Sequence, residues 1–421
     1  MKSRKSGLWR NRIYRRMFAA YSVSVMGGYF DFIAMSVLVA YDWKTAPFLI
    51  GLVPVVQALP GILFGSWAGV LADRWPKRNL LIIADLSIAI FTGLIIFINS
   101  IYLLLPLLFL RNIFNELFMP AQQALTKEVV EEEYLDQAVT WNGMVGQLGK
   151  IVGPLAGGAL LLYFSTTSLL IIKIVANLVS AWIFFRLGKV GREVRERNQT
   201  LSEKKGMWSL WLEGIQVVTK KRVLFVAVLS AFVTLSVLNI VEAQIGTLFR
   251  ELFPQSPSLM GWAIAVTGIG GGVGVFIVSQ LKNNRYEWLI GGGMVLIGLG
   301  FGGIGLFTQD TSFLIVVPLI ILAGIGAGLF LISYNIILQK ESDKENTGRV
   351  FGLSNTVISV TMIIPPIIGG GLVEWLGVSQ VYFGVGCVLV ALGCFTLVFQ
   401  KMLWGTRQQV VLEEVKENVQ M

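Results

Sequence analysis

Four ionisable side chains stand inside otherwise apolar stretches of this 421-residue chain: Asp31, Arg111, Glu116 and Glu242. A charge buried at hydrocarbon depth is costly and marks a pathway, a relay or a partner. Asp31, in Gly28-Tyr29-Phe30-Asp31-Phe32, is the expected partner of Arg111, in Phe109-Leu110-Arg111-Asn112-Ile113. A carboxylate beside a base in a hydrated cavity can take up and release a proton, with an affinity set by hydration and by what else is bound. Glu116, about one and a half turns from Arg111, can share that task. Glu242 can carry a second proton, recognise a cation, or simply cap a helix. Two more bases lie within apolar stretches. Lys150 can pair with an acid or hold an anionic group, whereas Lys173 is expected to snorkel to the nearer surface.

The elements that must hold these groups are membrane helices. Apolar residues make up 55% of the chain and charged ones only 14%, against roughly 25% charged in soluble domains. They come in blocks of about 20, the length that spans hydrocarbon. Twelve spans are expected, at 17–42, 48–72, 79–99, 101–121, 137–163, 167–187, 222–249, 258–281, 288–308, 311–338, 350–375 and 379–403. Charge supports the count. With both termini placed in the cytoplasm, only Lys44 and Arg250 of the 34 Lys and Arg fall on the outer side, Arg111, Lys150 and Lys173 falling within spans, as the positive-inside rule requires. The net charge of +9 therefore reports membrane orientation and not nucleic acid. The expected organisation is a six-helix bundle at 1–188, a charged linker at 189–221, a second bundle at 222–403 and a polar tail at 404–421. Within the linker, Met207–Lys221 has the pattern of an amphipathic surface helix or of a solvated connection.

Function classes fall away quickly. There is no histidine, no phosphate-binding glycine loop, no metal-ligand cluster and no nucleophile with an obvious base, so neither an enzyme nor ATP drive is expected. Cys387 and Cys394 share one span, two turns apart, where a disulfide is excluded by geometry. No cofactor, metal, nucleic acid or obligate protein partner is implied.

Two motifs carry mechanism. Gly65-Ser66-Trp67-Ala68-Gly69-Val70-Leu71-Ala72-Asp73-Arg74-Trp75-Pro76-Lys77-Arg78 joins two spans through a very short charged loop. Gly65 and Gly69 are expected to admit close helix approach. Asp73, Arg74, Lys77 and Arg78 can pair with one another and with helix ends, and Asp85 is expected to join that network. The second motif is Gly149-Lys150-Ile151-Val152-Gly153-Pro154-Leu155-Ala156-Gly157-Gly158, with a weaker counterpart, Pro366-Ile367-Ile368-Gly369-Gly370. Its glycines permit close backbone packing and its proline bends the helix.

These residues resemble the helix 2–3 loop, G-x-L-A-D-R-x-G-R-[KR], and the fifth-helix antiporter motif, G-x-x-x-G-P-x-x-G-G, of major facilitators, with Pro76 where the loop motif has glycine. Gly348-Arg349-Val350-Phe351-Gly352-Leu353 and the stretch from Arg111 to Leu135 extend the resemblance to the bacterial drug:proton antiporter-3, or macrolide-efflux-like, group. The resemblance implies an all-α membrane protein of two pseudo-symmetric six-helix bundles. It implies alternating access in a bacterial cytoplasmic membrane, driven by the proton gradient with no cofactor, exporting small lipophilic or amphipathic compounds such as macrolides. The loop would act as a conformational gate. Asp31, Glu116, Arg111 and Glu242 would couple protons. Tyr29, Gln57, Asn115, Asn142, Gln147, Lys150, Asn239 and Tyr334 would line the substrate cavity. Relatives that export siderophores or move lysophospholipids keep a second reading open, in which Lys150 and Lys173 would hold a phosphate.

Overall fold

The computed structural model describes residues 7–187, 215–281, 286–309, 311–342 and 347–404, apart from the side chains at 66, 73, 147 and 347–349. All regular structure among them is helical. Eleven helices are long and apolar enough to cross a membrane. The expected fifth span is also one continuous helix, α5 (Leu135–Leu160), of 26 residues. The first eight residues of the expected surface helix at 207–221 lie outside the described residues, and 215–220 is helical.

The chain forms two compact units, Met1–Ser202 with Ile245–Ala265 and Glu203–Gln244 with Val266–Met421. In the first, α1 (Arg12–Val37) packs on α5 and on α6 (Thr166–Phe185), α6 on α3 (Lys77–Ile96), α3 on α4 (Ile101–Val129), and α4 on α2 (Pro47–Arg74). Asn11 starts α1 by accepting hydrogen bonds from the Ile13 and Tyr14 amides at 2.9 and 3.1 Å, a side-chain N-cap. Tyr14, Met17, Leu80, Leu81, Phe118 and Phe184 close the bundle at that end. The later segment of the unit, α8 (Ile245–Leu252), packs on the far end of α1, where Arg250 donates to the Ala40 carbonyl at 2.8 Å.

In the second unit α10 (Tyr286–Ile304) packs on α11 (Phe313–Glu341) and α14 (Val378–Val398). A Cβ at Gly293 would meet Gly326 O at 2.7 Å, and one at Gly298 would meet Gly386 O at 2.7 Å. Backbones touch directly there, as expected where dispersion rather than solvent drives helix association.

Two expected spans are broken. The seventh ends as α7 (Arg222–Glu242), and α8 starts only at Ile245. The Val241 carbonyl instead accepts from Tyr382 Oη at 2.8 Å and from the Gln244 amide at 2.9 Å. The eleventh divides into α12 (Thr347–Thr361) and α13 (Ile364–Leu376). Pro365 and Pro366 cannot donate to the helix ladder, and a residue preceding proline is disfavoured in the helical region. Pro154 lies inside an unbroken helix, so Pro366 and Pro154 are counterparts in sequence but not in local structure.

Candidate functional site

The buried charges of the first unit converge. Arg111 of α4 meets Asp31 of α1 in a two-pronged ion pair, Nη1–Oδ1 2.8 Å and Nη2–Oδ2 2.9 Å. Nη1 also reaches Thr92 Oγ1 of α3 at 3.4 Å. Asp31 and Arg111 are only 8% and 5% exposed. The parallel fork geometry gives direction as well as strength to the pair. Glu116 is not part of it. Its half-buried carboxylate lies over Gly61 of α2, where a Cβ would come within 3.1 Å of Oε1.

A second polar layer lies beside the first. Asp85 of α3 is wholly buried, and its Oδ1 accepts from Ser24 Oγ at 3.0 Å and Asn177 Nδ2 at 2.8 Å. Oδ2 makes no hydrogen bond among the described residues. The expected place of Asp85 in the loop network is therefore corrected: it faces α1 and α6, away from the loop. Lys173 is corrected too. It does not snorkel but is 6% exposed, its stem against Gly27 and its ammonium beside Gly28 of α1. It makes no contact ion pair among the described residues and stands one turn before Asn177, which bonds Asp85. Helical spacing explains the cluster. Ser24, Gly27, Gly28 and Asp31 share one face of α1, Lys173, Asn177 and Ser180 one face of α6, and Asp85 and Thr92 one face of α3. That face-sharing was the available sequence signal for Ser24, Asn177 and Thr92.

Lys173→Met is expected to lower the thermal stability of the detergent-purified protein. Asp85→Asn together with Lys173→Met should recover part of the loss, with about 0.5–3 kcal/mol of coupling in the double-mutant cycle. Strict additivity would show that the two charges do not sense each other.

The α5 glycines form a cradle for Tyr29. A Cβ at Gly149 or at Gly153 would overlap the Tyr29 side chain. The ring is fixed from its other end, where Oη donates to the Gly146 carbonyl at 2.8 Å. Gly157 stacks against Ile33, its Cβ position 3.4 Å from Cγ1. Gly158 faces the first turn of α9 (Ser258–Gln280), with a Cβ position 2.9 Å from Ser258 O and 3.0 Å from Gly261 Cα. Pro154 is buried among these contacts.

The charged loop ties helix ends together. Lys77 pairs with Glu128, at the end of α4, at 2.9 Å. Arg78 donates to the Phe184 and Phe185 carbonyls at 3.0 and 2.8 Å, satisfying carbonyls left open at the end of α6. Arg74 is exposed in the last turn of α2, and the Asp73 side chain lies outside the described residues. A Cβ at Gly65 or Gly69 would meet nothing within 4 Å among the described residues, so no close approach at these two positions is seen among them.

The remaining candidates stand on several helices of the two units. Gln57 is half-buried on α2, Asn115 is exposed on α4 and Lys150 is exposed on α5. Asn142 is buried with its Oδ1 unbonded among the described residues, and the Gln147 side chain lies outside them. In the second unit Asn239 donates to Thr361 Oγ1 at 3.2 Å, and Tyr334 Oη lies 2.6 Å from Ser354 Oγ. Glu242 is exposed as the last residue of α7. Gly348 and Arg349 have no described side chains.

Comparison with known proteins agrees with this architecture. The family model described as Major Facilitator Superfamily matches residues 17–364 and 245–409. The chain is 28% identical to an uncharacterized MFS-type transporter, YfiS, of Bacillus subtilis, over 94% of each chain. It is 23% identical to Macrolide efflux protein A of Streptococcus pyogenes, over 91% of this chain and 95% of that one. Among solved structures, an inward-facing bacterial homologue of the human lysosomal transporter Spinster superposes with a TM-score of 0.72 at 15% identity, covering 92% of this chain and 95% of that one. The protein is a multi-pass membrane transporter and not an enzyme, and the chain belongs to the Major Facilitator Superfamily.

Proposed function

We propose that the protein exports small lipophilic or amphipathic compounds, macrolides among them, by proton antiport across a bacterial cytoplasmic membrane with both termini inside. The observation that carries the reading is the buried, two-pronged Asp31–Arg111 pair. Protonating Asp31 removes the charge that holds Arg111, so the guanidinium turns to another acceptor and α1 is released from α4. Deprotonation restores the pair. A compound that favours one of these two arrangements exchanges against the proton by differential affinity. Glu116, at the α2–α4 contact, is a second acceptor within the same unit. The Lys77–Glu128 and Arg78–α6 contacts would form part of the gate that follows this change. Similarity to a macrolide efflux protein supports the direction and substrate class. The alternative in which Lys150 and Lys173 hold a lipid phosphate loses support, because Lys173 is sealed between α1 and α6.

The test is proton movement in energised inside-out vesicles. Adding erythromycin, a cationic dye or a tetracycline should partly collapse the pH gradient in vesicles containing the protein and leave protein-free vesicles unchanged. Transport of a lysolipid, or of a drug with no proton movement, would overturn the reading.

A further inference from the structure

A cleft of about 420 Å³ opens where α1 begins and α6 ends, lined by Arg15, Arg16, Ala19, Trp182, Ile183 and Arg186. Three guanidiniums line it and, among the described residues, no carboxylate does. The cleft is held open by specific contacts. Arg16 Nη1 donates to the Arg186 carbonyl at 3.4 Å, and the Arg186 guanidinium lies 5.0 Å above the Trp182 ring. The Phe184 and Phe185 carbonyls of α6 are already occupied by Arg78. The Arg15 and Arg186 guanidiniums donate to no carbonyl of this helix end among the described residues, so their charge is left for an outside group.

Below the cleft, α6 presents a continuous apolar track. Ile171, Val175, Leu178, Val179 and Trp182 are each 39–57% exposed and recur at helical spacing on one face. From Ile171 to Trp182 the track runs about 16 Å along the helix, close to half of the roughly 30 Å hydrocarbon core and so about one leaflet deep. An indole at the end of such a track belongs at the headgroup boundary. A cradle of guanidiniums at headgroup level over a one-leaflet apolar track matches a molecule with an anionic head and two acyl chains. Soluble anions would use the cradle but not the track, and zwitterionic lipids the track but only half of the cradle.

We propose that this cleft is a binding site for an anionic phospholipid, with its phosphate among Arg15, Arg16 and Arg186 and its chains along α6. It is separate from the Asp31–Arg111 pair and does not depend on what the protein transports. The full-length protein would be purified in detergent and titrated with phosphatidylglycerol or phosphatidylcholine of the same chains, and bound lipid counted by native mass spectrometry. Phosphatidylglycerol should bind more tightly than phosphatidylcholine of the same chains. Arg15→Gln, Arg16→Gln and Arg186→Gln combined should weaken binding on the order of a hundredfold, each basic side chain contributing about a fivefold factor at a lipid surface. The same three positions changed to Lys should keep part of the affinity. Lys44→Gln, at the opposite end of α1, should change nothing. Arg186→Gln alone provides the reading if the triple variant fails to fold. Equal binding of the two lipids, undiminished binding to the Gln variants, or displacement by inorganic phosphate as effective as by lipid would each overturn the proposal.

Discussion

Asp31→Asn is expected to abolish drug-driven proton movement and to lower thermal stability. The amide keeps the shape of the carboxylate but not its charge. Arg111 then stays buried with Thr92 and a neutral amide as its neighbours, both too weak to balance a guanidinium. Breaking one side of a buried pair costs about 3–5 kcal/mol, because the remaining charge is uncompensated. The diagnostic variant is the double one. Asp31→Asn with Arg111→Gln leaves two neutral groups that can hydrogen-bond to each other, so most of the stability should return while proton coupling stays lost. Melting curves and vesicle pH measurements on the three variants separate the two roles. If Asp31→Asn moves protons like the wild type, the coupling role is wrong and the pair is structural.

Gly153→Val is expected to be the most damaging small change in α5. A single Cβ at this position already overlaps Tyr29, and Val adds two methyl groups beyond it. Overpacking in a close-packed interior costs about 1–3 kcal/mol and occasionally more, and here the first obstacle is the Tyr29 Cβ, which is fixed to the α1 backbone and cannot swing aside. Transport should fall below detection even if the protein reaches the membrane. Tyr29→Ala removes the ring that blocks Gly149 and should partly rescue Gly149→Ala, which no general effect on helix propensity could do. The same rescue should fail for Gly158→Val, whose obstacle is the backbone of Ser258 and Gly261. Rescue of both by Tyr29→Ala would mean that the cradle is not what fixes α1 against α5.

Residues at mid-span were the legible part of the site. Asp31 and Arg111 were readable as partners because each is a lone charge far from either end of an apolar stretch. Lys173 was misread for the opposite reason. Its nearness to a span end suggests an easy exit to water, and only the packing of α6 against Gly27 and Gly28 closes that exit. Asp85 sits close enough in sequence to the charged loop to be grouped with it, and hydrogen bonds from two other helices take it elsewhere. Helix existence followed from hydropathy, since a lipid-facing backbone has no other way to satisfy itself. The breaks at 243–244 and 362–363 did not follow from it. The second had a local sign in Pro365 and Pro366, whereas the first depends on Tyr382, far away in sequence. Glycine spacing was informative only together with its context. Gly149 and Gly153 receive Tyr29, while Gly65 and Gly69, at the same spacing, receive nothing among the described residues.

The two-layer cluster of Asp31, Arg111, Asp85 and Lys173 has a bearing on membrane voltage. Two acids and two bases sum to zero, so these four buried groups together give the transmembrane field no net charge to act on. One unbalanced charge carried through the full field would be worth about 2.3 kcal/mol per 100 mV. With the set balanced, rearrangement of its helices is nearly independent of potential. Adding a proton to either acid makes the set +1, and the field then acts on the protonated form alone. On the proposed proton coupling, the voltage would thus act on these four groups only while the proton is aboard.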